Sequence, residues 1–113
     1  MTLPHPLADP LADEIAARFR VLGEPMRIRI LDRLREGESS VQDLTGDLGT
    51  TQQNASKHLG VLHSAGIVSR RRDGNRVLYA IADDSVFELC QTVCGGLQRR
   101  VDELGGLLAG AAR

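Results

Sequence analysis

A helix-length segment that is polar along one side runs, with no linker, into a stretch that alternates about a tight turn. Thr51-Gln-Gln-Asn-Ala-Ser-Lys-His-Leu-Gly-Val-Leu-His-Ser-Ala-Gly66 is followed at once by Ile67-Val-Ser-Arg-Arg-Arg-Asp-Gly-Asn-Arg-Val-Leu-Tyr-Ala-Ile81. Ala55, Leu59 and Leu62 recur at i, i+4 and i+7, which predicts a helix with one buried stripe, capped by Thr51 and ended by Gly66. In the second part Val77, Tyr79 and Ile81 alternate with Arg76, Leu78 and Ala80 after Asp73-Gly74-Asn75, residues that tolerate positive φ. That pattern predicts a β-hairpin over about residues 67–82. Few folds accept a helix and a hairpin joined so closely.

The outward face of the helix carries Gln53, Asn54 and Lys57, with Gln52 and Ser56 near its start. Gln and Asn amides pair bidentately with adenine, and Ser and Lys reach phosphate or guanine. A helix fits the major groove of double-stranded DNA, and an arginine-bearing ribbon fits beside it. The candidate DNA contacts are therefore Thr51, Gln52, Gln53, Asn54, Ser56, Lys57 and His58 on the helix, and Arg70, Arg71, Arg72 and Arg76 on the hairpin. The bland alternative is a solvated surface, the usual fate of charges at a hairpin tip. Charge distribution favours nucleic acid. Residues 50–81 hold five basic side chains against Asp73 alone, a local +4, which leaves −5 on the rest of a chain whose net charge is −1. A basic face on an acidic body places phosphate binding on one side. His58 reads as a packing or phosphate-contact residue, because no second metal ligand accompanies it at suitable spacing.

At 113 residues the chain is expected to form an N-terminal arm, 1–10, with three of its four prolines, and a single domain, 11–113. Leu11, Ala12, Ile15, Phe19 and Leu22 predict a first helix over about 9–22. Gly23-Glu24-Pro25 breaks it, and Pro25 suits the first turn of a second helix that turns Ile28, Leu31 and Leu34 inward before Gly37. Ser40-Val-Gln-Asp43 resembles a capping box with Asp in place of Glu, opening a third helix with Val41, Leu44 and Leu48 buried. Gly49-Thr50 turns into the fourth. Two short helices so joined make a helix-turn-helix, about 40–66, and the hairpin is its wing.

A last helix, about 84–108, carries Phe87, Cys90, Cys94, Leu97, Val101, Leu104 and Leu108 along a heptad seam. Such a stripe predicts a homodimer paired through this helix, with the first helix alongside. Gly95-Gly96 weakens it by about 1 kcal/mol per glycine and suggests a kink, close backbone approach or local mobility. The fold expected is thus mainly α with a small β-hairpin wing, dimeric through its first and last helices. No apolar run approaches membrane-spanning length. With no targeting segment and two cysteines instead of a disulfide framework, a reducing cytoplasm is the expected compartment. No Ser/His/Asp order, paired acids or phosphate-cradling loop can be assembled, and the cysteines lack an evident base, so the chain does not read as an enzyme.

Glu24-Pro-Met-Arg-Ile-Arg-Ile-Leu31, Val41-Gln-Asp-Leu44, Gln52-Gln-Asn-Ala-Ser-Lys-His-Leu-Gly-Val-Leu62, Ala65-Gly-Ile-Val68 and Gly74-Asn-Arg-Val-Leu-Tyr-Ala-Ile81 together resemble the ArsR/SmtB family of winged-helix repressors over roughly residues 13–90. The resemblance implies a homodimer that binds an operator near its own promoter and leaves it when an effector binds. Arsenic and cadmium sensors of the family carry Cys-Val-Cys at the start of the third helix, where this chain has Ser39-Ser40-Val41-Gln42-Asp43-Leu44. Zinc and nickel or cobalt sensors use Asp, His and Glu on the last helix, which here has Asp83, Asp84 and Glu88 but no histidine.

What the last helix offers instead is Cys90 and Cys94, at i and i+4 on one face, with Cβ atoms about 5–6 Å apart. One thiophilic ion, such as As(III), Sb(III) or Cd(II), could span them, or four thiolates could meet across a dimer axis. A disulfide prefers Cβ atoms about 3.5–4.5 Å apart and would distort the helix, although oxidation or a polysulfide bridge remains open. His5 or Asp9 on the arm is a candidate further ligand. The bland alternative is packing, since a buried cysteine is a small hydrophobe. Three functions stay in play: a repressor released through Cys90 and Cys94, an effector-independent regulator with structural cysteines, and a thiol redox or metal-handling protein that uses its winged helix only for interaction.

Overall fold

A computed structural model describes residues 2–111, with the side chains of 2–107. The elements are α1 (Asp9–Leu22), α2 (Pro25–Leu34), β1 (Ser39–Ser40), α3 (Val41–Leu48), α4 (Gln52–Ser64), β2 (Val68–Asp73), β3 (Arg76–Ile81) and α5 (Ser85–Ala111). They fall in two compact units, Met1–Ala82 and Asp83–Arg113, described here in turn.

In the first unit each helix after α1 begins where a side chain accepts from a backbone N–H of the first turn. Glu24 accepts from the Arg27 N–H, Ser40 Oγ from Asp43, and Thr51 Oγ1 from Asn54, each at 3.1 Å. A cap of this kind contributes about 1 kcal/mol. Gly49 ends α3 with a φ of 63°, a left-handed conformation in which Thr50 N–H turns back to the Thr45 carbonyl. The tight turn into α4 follows from that one residue.

Ile30, Leu31 and Leu34 of α2, Leu44 of α3, and Ala55, Leu59 and Leu62 of α4 are buried, and Ile67 and Val68 at the entry to β2 join them. Each large side chain so enclosed contributes about 1.5–3 kcal/mol. The expected stripe of α2 needs one correction. Ile28 is 42% exposed and Ile30 fully buried, because the buried arc of α2, which packs on α1, α3 and α4, centres on Leu31 and leaves Ile28 at its rim. Val41 and Leu48, expected inside, are half-buried.

The sheet has three antiparallel strands in the order β1-β3-β2, one more than the hairpin expected from the sequence. Ser39 pairs with Tyr79 and Ser40 with Leu78; across the hairpin Arg70 pairs with Tyr79, Arg71 with Leu78, Arg72 with Val77 and Asp73 with Arg76. The turn is Gly74-Asn75, and only Gly74 takes positive φ, 63°, so Asn75 does not use the tolerance the sequence suggested. Glycine at the first turn position is the pattern of a type II′ turn.

In the second unit α5 starts just after Asp83, whose Oδ1 accepts from the Ser85 N–H at 3.1 Å and from Ser85 Oγ at 2.6 Å. The helix runs unbroken through Gly95-Gly96, where an added Cβ would meet only the Arg99 guanidinium, at 3.7 Å. Along the expected seam Phe87 and Cys90 are half-buried, while Cys94, Leu97, Val101 and Leu104 are exposed; the side chain of Leu108 lies outside the described residues. Val93 and Leu107 are exposed as well.

Candidate nucleic-acid interface

Because Ala55, Leu59 and Leu62 hold one side of α4 inward, the other side is presented whole. Gln52, Gln53, Ser56 and Lys57 are exposed, and none of their side chains is engaged elsewhere among the described residues. Thr51 spends its hydroxyl on the cap, and Asn54, half-buried, donates its amide to Thr50 Oγ1 at 2.9 Å. Thr51, Gln53, Asn54 and Lys57 together line a shallow concavity. A free amide, a hydroxyl and an ammonium on one face are what base edges and phosphates accept.

His58 is the exception. It is 5% exposed, and its Nδ1 accepts from Arg27 Nε at 3.1 Å. The reading of His58 as a DNA contact is corrected, since a ring buried against α2 has no access to DNA.

The hairpin presents its arginines unequally, because side chains alternate across a strand. Arg71 and Arg76 share the face of Leu78 and Ser40. Arg71 Nε donates to Glu38 Oε2 at 2.9 Å, and its Nη2 makes a second bond to Oε1. This fork holds the Glu38 carboxyl below the usual range and raises the Arg71 guanidinium. Arg76 Nη2 donates to Asp43 Oδ2 at 2.9 Å and to Ser40 Oγ at 3.0 Å. Arg70 and Arg72 lie on the other face, with Tyr79 and Val77, and neither side chain has a hydrogen bond or ion pair among the described residues. The local +4 read from the sequence is therefore partly cancelled by Glu38 and Asp43, which stand outside the segment counted. No local spacing signals those pairs, whose members are 33 positions apart.

On α5, Cys90 and Cys94 are free thiols, one half-buried and one exposed. Among the described residues no three His, Cys, Asp or Glu side chains gather closely enough to hold a metal ion.

A helix-turn-helix domain model matches residues 22–71. The transcriptional regulator Rv0081 of Mycobacterium tuberculosis is 41% identical over 110 residues, covering 93% of this chain and 96% of that one. Its crystal structure superposes with a TM-score of 0.75 over 85% of this chain and 97% of that chain, at 40% identity. The repressor SmtB of Mycobacterium tuberculosis is 38% identical over 73% of this chain and 61% of its own. A homodimeric winged helix-turn-helix domain of Mycobacterium bovis, Mb0332, described as a possible ArsR-family regulator, matches with TM-score 0.70 and 33% identity over 84% of this chain and 91% of that one. The chain belongs to the ArsR/SmtB family.

Its fold is accordingly the winged helix-turn-helix, with α3 and α4 as the helix pair and β2–β3 as the wing. Family members are DNA-binding transcription regulators and not enzymes. The structure also shows how this ArsR/SmtB chain uses the place where some members carry thiolates. Ser39 and Ser40 are buried, and the Ser40 hydroxyl both caps α3 and accepts from Arg76. Among the described residues no helix is long and apolar enough to cross a membrane.

Proposed function

We propose that this chain is a homodimeric repressor that reads operator DNA with α4 and is released when a thiophilic metal or metalloid, or an oxidant or reactive sulfur species, acts on Cys90 and Cys94. The observation that carries the DNA-reading part is the unengaged polar face of α4 beside the two unpaired wing arginines. Gln52, Gln53, Asn54 and Ser56 contact base edges and sugar-phosphate, with Thr51 at the helix start. Lys57, Arg70 and Arg72 bind phosphate. Arg71 and Arg76, held by carboxylates, fix the wing instead. The bare apolar stripe Val93, Leu97, Val101 and Leu104 on α5, with exposed Leu11 and Phe19 on α1, supports pairing of two copies. Two recognition helices then reach half-sites about 34–36 Å apart in the cytoplasm, where the DNA is.

Effector action rests on two free thiols one helical turn apart. A bound ion that takes both thiols draws its remaining ligands from the second subunit or from solvent, and so reports on how the two α5 helices meet. A coupling free energy of about 1–3 kcal/mol changes operator affinity about 5- to 150-fold. The test is fluorescence anisotropy of the reduced protein on its own upstream DNA, with arsenite, antimonite, cadmium, zinc or a polysulfide added in turn. Release by one agent from the wild type, and not from the Cys90→Ser/Cys94→Ser variant, is the expected result. Tight binding that none of them disturbs leaves an effector-independent regulator with structural cysteines. Weak, sequence-independent binding points instead to a thiol redox or metal-handling protein.

A further inference from the structure

The recognition helix is tied to the corner between α1 and α2 by polar side chains that lie away from its outward face. Arg27, in the first turn of α2, donates Nη1 to the Val21 carbonyl near the end of α1 at 3.0 Å and Nε to His58 Nδ1 at 3.1 Å. One guanidinium thus bridges α1 and the middle of α4. The Glu24 carboxylate caps α2 and also lies 3.6 Å from His58 Nε2, a charge contact longer than a hydrogen bond. Because Nδ1 accepts from Arg27, a neutral imidazole carries its proton on Nε2, facing Glu24. A second tie runs from Arg18 on α1, whose Nη1 donates to the Ala65 carbonyl at the C-terminal cap of α4, at 3.1 Å.

Apolar contacts hold a helix at a distance but let it slide and roll, whereas hydrogen bonds are directional. The His58 ring is buried on the inner side of α4 and accepts a part-buried directional bond there, and its immediate neighbour in sequence is the outward-facing Lys57. We infer that His58, held by Arg27 and Glu24, is a positioning residue for DNA recognition: it fixes the roll of α4 against the α1–α2 corner and so the angle at which Gln53 and Lys57 meet the groove. This rests on the reading of α4 as the helix that contacts DNA. The same bridge joins α4 to α1, so a shift of α1 in a dimer reaches the recognition helix through Arg27.

The test uses the full chain with two substitutions that separate filling from bonding. His58→Leu fills the space without the Arg27 bond or the Glu24 contact, and His58→Asn keeps an oxygen near the place of Nδ1 to accept from Arg27. The readouts are the ratio of affinities for the protein's own upstream DNA and for unrelated duplex, the salt dependence of each, thermal unfolding, and imidazole 15N spectra of the wild type. The expected result is a ratio lowered roughly tenfold in His58→Leu and largely kept in His58→Asn, with an unchanged salt slope in both because no phosphate contact is lost. The wild-type spectrum should show a bare Nδ1 and a protonated Nε2. A folded His58→Leu variant with the wild-type ratio, or a ring protonated at Nδ1, overturns the inference. Should His58→Leu not fold, Arg27→Lys keeps the charge but not the two-pronged bond, and the same ratio decides. A wild type that does not prefer its upstream DNA removes the DNA reading itself; preference in the wild type undiminished in the variants removes only the role of His58.

Discussion

The unit up to Ala82 encloses Ile30, Leu31, Leu44, Leu59 and Leu62 among its own elements, whereas α5 leaves Leu97 62% and Val101 61% exposed. Both regions are helical and both carry apolar stripes at helical spacing. The difference teaches that periodicity announces a buried face without saying which chain buries it. In the first unit the partner helices belong to the same chain, as α2 packs on α4; for α5 the proposed partner is the same helix of another copy. Substitutions in the two regions should then fail in different ways.

The largest effect is expected from Leu97→Asp combined with Val101→Asp. Placing charge on the proposed seam should give monomers in sedimentation, and with only one half-site engaged, operator affinity should fall by about 10²–10⁴. A monomeric variant that binds as tightly as the wild type would falsify the link between α5 and recognition. Next comes Leu59→Ala, expected to cost about 2–5 kcal/mol in urea unfolding through the cavity it leaves. That loss should appear at every protein concentration, while the loss from Leu97→Ala should shrink toward zero as the protein is diluted. Equal concentration dependence in the two would erase the contrast between the regions.

A finer version of the same contrast lies within the wing. Arg72→Gln should lower the slope of log affinity against log salt by about 1.8, about 0.9 for each of the two subunits, and Arg71→Gln should leave it unchanged, because Glu38 already neutralises Arg71. Equal slopes for the two variants would place both arginines, or neither, on phosphate. The smallest effect concerns acid. The Arg71 bond depresses the Glu38 carboxyl in the folded state, so its contribution to stability is present above the unfolded value and is lost as pH falls through the lowered folded value. The protection of the Arg71 and Leu78 amides, measured against the intrinsic exchange rate at each pH, should therefore fall in that acid window, and in a Glu38→Gln variant it should be low at both ends. Exchange that responds to acid equally in Glu38→Gln would assign the change to another carboxyl.

Much of this was legible in the chain. Helices α1 to α4 fall within about two residues of their expected bounds because caps at Ser40 and Thr51 and the breaks at Gly23 and Gly49 are local chemistry, whereas α5 runs on to Ala111, past the end expected near 108. The outward face of α4 follows from the same periodicity. What escaped was non-local. β1 is two residues long, too short for any period, and exists because Tyr79 and Leu78 offer it a ladder. The sequence leaves His58 open between packing and phosphate contact, and what decides for packing are Arg27 and Glu24, more than thirty positions away. The four wing arginines looked equivalent because the carboxylates that separate them lie before and within α3.

β1 has a practical consequence for anyone treating such regulators as assemblies of interchangeable parts. The hairpin 68–81 is not a cassette. Cut out and grafted elsewhere, it would leave behind its third strand, the Ser40 hydroxyl and the two carboxylates that grip Arg71 and Arg76. A lone two-stranded ribbon is at best marginally stable in water. A chimera that exchanges wings should therefore take its donor boundary upstream of Glu38, so that wing and helix pair travel as one inherited piece.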